Sequence, residues 1–106
     1  MSVEWRMVER GRMAWVSALA PAPIGDARTQ AARALERIDS LLGQAGYDKS
    51  RFLTARISVP DQNLLAEVNA AWNDLVDPSS PPLRVNRTEN IGRPGALVQI
   101  LVTAAK

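Results

Sequence analysis

Three features of this 106-residue chain predict an α+β fold, a mixed β-sheet with two helices packed on one face. Two stretches of period-two alternation come before any helical pattern. Two amphipathic helical stripes follow with a strand-like stretch between them, and two more strand-like stretches close the chain. The order strand-strand-helix-strand-helix-strand-strand contains two right-handed crossovers and fits a single domain over 1–106.

The N-terminal stretch "VEWRMVERGRMAWVSALA" reads as two strands joined at Gly11. Val3, Trp5 and Met7 alternate with Glu4 and Arg6, then Met13, Trp15 and Ser17 alternate with Ala14, Val16 and Ala18. The segment "PAPIG" breaks the chain. Asp26 is an N-cap, after which Ala27, Ala31, Ala34, Leu35, Ile38, Leu41, Leu42 and Ala45 form one helical stripe, ended by Gly46. A strand is expected over 51–59. Asp61, directly after Pro60, opens a second helix with the stripe Leu64, Leu65, Val68, Trp72 and Leu75, stopped by "DPSSPP". Strands are expected over 83–88 and 96–104. The first sends Arg84, Asn86 and Thr88 to one face, and Gln99 interrupts the apolar run of the second.

Two helices cover only one face of five strands. The other face is expected to hold some of Trp5, Met7, Met13, Trp15, Leu97 and Leu101, more apolar surface than a monomer leaves in water, so self-association is expected. Composition narrows the chemistry. The chain has neither cysteine nor histidine, which removes Ser-His and Cys-His nucleophile systems and the ordinary zinc sites. No metal and no cofactor are expected. The high pI reflects bases that are mostly arginine, at a net charge of +2, and is not by itself a nucleic-acid signature. The N-terminus alternates charged and apolar groups, unlike a signal peptide, and no run has the length of a membrane span; a cytoplasmic protein with no membrane partner is the expectation. "NRT" at 86–88 matches a glycosylation pattern that has no meaning without secretion. Glu36 and Asp39, with Arg33 and Arg37 nearby, read as a solvated helix face.

From about Gly11 to Ala105 the chain resembles the RidA (YjgF) family of enamine and imine deaminases, as a divergent member. The resemblance is carried by Gln30, Ala34, Leu35, Ile38 and Leu42 in a helix ending in "AG", by "VNAAW", and by "PPLRV" where the family usually has Pro-Ala-Arg. It implies a chorismate-mutase-like fold, a homotrimer, and ligand sites in the clefts between subunits. Arg84 then matches the arginine that pairs with a substrate carboxylate, a task suited to a planar, permanently charged guanidinium with paired donors. Asn69 matches a cleft asparagine. Fifteen residues after Arg84, at the family's water-activating glutamate, stands Gln99, which orients water but takes no proton. Asn86 stands where cysteine is common. Ser17 and Ala18 replace Ser-Gly, adding a methyl where ligand carboxylates approach the backbone. By the same resemblance, the upstream segment whose loop often adds a tyrosine to the pocket is not expected here.

The resemblance favours an enzyme that deaminates a reactive enamine or imine, or processes a related small carboxylate-bearing metabolite. Arg84 would be its anchor and Gln99 would position water between subunits. The alternative is a non-hydrolytic metabolite-binding or specialised-pathway protein, since the usual glutamate is missing. Nucleic-acid binding, described for some relatives, fits poorly with five aromatic residues and no stacking motif.

Overall fold

The computed structural model describes residues 3–20 and 25–106. The expected break at Pro21–Ile24 lies outside the described residues. The elements are β1 (Glu4–Arg10), β2 (Met13–Leu19), α1 (Ala27–Gln44), β3 (Phe52–Val59), α2 (Leu65–Leu75), β4 (Leu83–Thr88) and β5 (Gln99–Ala105), with short 3₁₀ turns at Lys49–Arg51 and Gln62–Leu64. One five-stranded sheet runs β1-β2-β5-β3-β4. Its neighbours are antiparallel except β3 and β4, which are parallel. The sheet is therefore mixed, as expected.

Local chemistry sets the element ends. Gly11, at φ 58, takes the first position of a two-residue hairpin loop, a left-handed conformation that glycine enters at little cost. The carboxylate of Asp26 accepts from the Thr29 N–H at 2.9 Å and caps α1. At the other end Gly46 is at φ 91; its N–H donates to the Gly43 carbonyl and the Tyr47 N–H to that of Leu42, the paired bonds of a Schellman stop.

The core lies between the sheet and the helices. Ala14, Val16, Ala55, Ile57, Val59, Ile100 and Val102 face Ala31, Ala34, Ile38, Leu42, Val68 and Ala71, all buried. α1 lies on β2 and β5, and α2 packs beside α1. The opposite face carries Met13, Trp15, Ser17, Arg56, Ser58, Gln99, Leu101 and Thr103, and none of the described helices covers it.

Four boundaries and faces differ from expectation. Met7 pairs with Val16 and Trp5 with Ala18, so both point to the helix side, and Met7 packs on the core. The two-residue loop pairs odd residues of β1 with even residues of β2, reversing the parity. Leu97 also packs on the core, before β5 begins. Asp61 caps the 3₁₀ turn through the Asn63 N–H at 2.9 Å, and the α-helix starts only at Leu65. β5 begins at Gln99, because the segment ahead of it is pinned to α1. There the buried Gln30 amide donates to the Gly95 carbonyl at 2.9 Å and accepts from the Leu97 N–H at 2.8 Å.

Candidate functional site

β4 is a sheet edge, and its parallel register sets Arg84 opposite Ala55, Asn86 opposite Ile57 and Thr88 opposite Val59. Residues opposed in a ladder share a face, so these three polar side chains leave the sheet on the helix side. There the guanidinium carbon of Arg84 lies 5.1 Å from the centroid of the Trp72 ring. Its Nε donates to Asn86 Oδ1 at 2.8 Å. Nη2 is buried and has no hydrogen-bond partner among the described residues. Burial pulls the guanidinium pKa down from its usual value, the mark of a cation that has lost water without gaining an anion. A buried donor left unpaired costs about 1–3 kcal/mol. With Nε held by Asn86, Nη2 is the donor of the guanidinium fork that finds no partner among the described residues. Asn69 is exposed on α2, one turn before Trp72, and makes no hydrogen bond to Arg84 or Asn86.

Gln99 stands on the other face. It opens β5 opposite Ser58, and with Ser17, Arg56, Ser58 and Leu101 it lines a depression of about 190 Å³. The Ser58 hydroxyl donates to Glu89 Oε1 at 2.8 Å. The Glu89 N–H in turn donates to the Val59 carbonyl at 2.9 Å, and its carboxylate lies 3.7 Å from Arg87 Nε. Ala18 faces the helix-side core, 1% exposed, so its methyl does not enter this depression. Alternation along β2 gives Ser17 and Ala18 opposite faces.

The expected site residues therefore fall into two groups within one chain. Arg84 and Asn86 meet on the helix side, joined by Trp72, which reads from sequence as core alone. Ser17 and Gln99 meet on the open side with Arg56, Ser58 and Glu89, which sequence reading missed. Period two in "RISV" puts Arg56 and Ser58 on one face and so carries a signal; Glu89, just past a strand end, carries none.

Comparison with known proteins bears on what the two groups serve. The family model described as endoribonuclease L-PSP matches residues 6–106. A RutC family protein of Haemophilus influenzae is 37% identical over 79 residues, covering 74% of this chain and 68% of the relative. The RutC family protein YoaB of Escherichia coli is 35% identical over 80 residues, covering 76% and 70%. Among solved structures, a YjgF family member from Neisseria meningitidis superposes with a TM-score of 0.87 at 28% identity, covering 100% of this chain and 96% of that one. RidA from an Antarctic Psychrobacter superposes at 0.83, covering 94% and 85%; at 19% identity it speaks for the fold alone.

Proposed function

This chain belongs to the RidA/YjgF family, the group matched by the endoribonuclease L-PSP model, and on that premise we propose that it binds and deaminates a small enamine or imine bearing a carboxylate. Arg84 is the carboxylate anchor. The observation that carries this reading is the Arg84 guanidinium laid on Trp72, held at Nε by Asn86, with a buried Nη2 that nothing among the described residues satisfies. A carboxylate supplies the acceptor and the charge together.

The place of Gln99 supports a site shared between copies. Arg84 and Gln99 leave the same sheet on opposite sides, so one small ligand reaches both only if two chains contribute. The open face offers the surface for this: Met13, Trp15 and Leu101 lie half-buried there, with Leu83 and Val85 exposed on the edge strand beside them. In this reading three copies close around the open faces, and Arg84 of one subunit meets Gln99 of the next. Asn69, on the helix that carries Trp72, lines the entrance.

The anchor is tested by calorimetric titration with pyruvate, a 2-oxo acid of the kind that imine hydrolysis yields. Arg84→Lys is expected to weaken binding about tenfold or more, because an ammonium keeps the charge but presents a single point donor. Equal affinities for wild type and Arg84→Lys would remove Arg84 from the role. The non-hydrolytic alternative draws on the amide of Gln99 in place of a carboxylate. It predicts the same dependence of pyruvate binding on Arg84, with no ammonia released from any imine.

A further inference from the structure

Resting on the imine-binding reading, we propose that Glu89 accepts the proton of the attacking water, acting through Ser58, while Gln99 orients that water. Gln99 and Ser58 are direct cross-strand partners on the open face and both line the depression. Directly opposed side chains have Cβ atoms about 4.5–5.5 Å apart, so one water bridges an amide on one strand and a hydroxyl on the other. The Ser58 proton already points at Glu89 Oε1, which leaves the lone pairs of its oxygen to accept from the opposite side. Glu89 is fixed by its own backbone bond to Val59 and by Arg87. No carboxylate lines the depression itself among the described residues, and Arg56 places a cation beside the oxygen that becomes hydroxide-like. Ser58 is the catalytic residue of this pair and Glu89 the residue that acts through it.

The step balances. Water gives a proton to Ser58 Oγ as Ser58 passes its own to Glu89, and the water oxygen forms a bond to the iminium carbon while the C=N π pair moves to nitrogen. The carbinolamine collapses when the proton on Glu89 returns through Ser58 to the amine nitrogen. The C–N bond then breaks with its electrons on ammonia, and the carbinol O–H gives its proton to the same relay as C=O forms. That proton leaves with ammonia, so one water and one iminium give one 2-oxo acid and one ammonium.

The test measures ammonia release from 2-iminopropionate and from the imines of larger 2-oxo acids, generated in place by an amino acid oxidase, alongside separate pyruvate titrations. Wild type is expected to turn over. Glu89→Gln and Ser58→Ala are each expected to lose about 10²-fold or more in kcat, with KM and pyruvate affinity unchanged. Gln99→Glu placed in the Glu89→Gln background is expected to restore turnover to the level of Gln99→Glu alone, because it puts a carboxylate directly on the water; a merely structural role for Glu89 predicts that Glu89→Gln slows the Gln99→Glu protein as well. A wild-type rate in Glu89→Gln, or failure of the rescue, overturns the proposal. So does a wild type that releases no ammonia from any of these imines while binding pyruvate through Arg84, an outcome that leaves the binding reading standing. A wild type that does not bind pyruvate at all overturns both.

Discussion

At Arg84 the polarity of an otherwise apolar neighbourhood has a physical explanation. Its alternation with Val85 and Asn86 fixes its face from sequence, but not that a residue two places along would take its Nε, nor that Trp72 would lie beneath it. Those contacts come from tertiary packing of α2 beside the edge strand, which no local pattern encodes. They also make Asn86 a sensitive position. Asn86→Asp keeps the shape and the accepting oxygen but adds a charge that satisfies the guanidinium from within the chain. Pyruvate affinity is expected to fall about tenfold or more. Calorimetry at neutral pH would check it. Undiminished affinity at neutral pH would mean the ligand does not compete for Arg84.

Among the elements, every strand and both helices are legible from period and punctuation, whereas the pairing of faces is legible only where the loop is read together with the strands. Gly11 marks the hairpin, but the parity of Trp5 and Met7 follows from its two-residue length, which couples Arg10 to Met13. For α2, Asp61 announces helical backbone without saying whether its first turn is 3₁₀ or α, since a short-range cap serves both. The cap of α1 allows a test by pH. The Thr29 backbone N–H, then the Thr29 side chain, hold the Asp26 pKa below its ordinary value of 3.8. Because the folded value is the lower one, the cap stabilises fully above about 3.8 and its contribution fades as pH falls through the folded pKa. Asp26→Asn retains an accepting oxygen and no longer titrates. Its melting temperature is expected to match wild type near pH 6 and to fall less steeply between pH 4 and 2. Parallel acid limbs in the two proteins would show that another carboxylate governs that range.

The whole molecule has one covered sheet face and one bare, and the two polar groups lie on opposite sides of that sheet. Strand alternation alone does not reveal this separation, although the family resemblance implies a cleft in which one subunit supplies Arg84 and its neighbour Gln99. A homotrimer joins them only if each site draws Arg84 from one chain and Ser58 with Gln99 from another. Light scattering coupled to gel filtration is expected to give three chains at micromolar concentration, and Trp15→Glu on the bare face to give monomers that no longer release ammonia. Complementation separates a shared site from mere assembly. Arg84→Ala trimers and Ser58→Ala trimers, each inactive alone, are unfolded together and refolded as a mixture. In an equal mixture, about one quarter of shared sites combine an intact Arg84 with an intact Ser58 from different chains, so about one quarter of wild-type ammonia release returns. A site built within one chain is always damaged in such a mixture, and activity that stays at the level of the separate variants would place the whole reaction inside a single subunit.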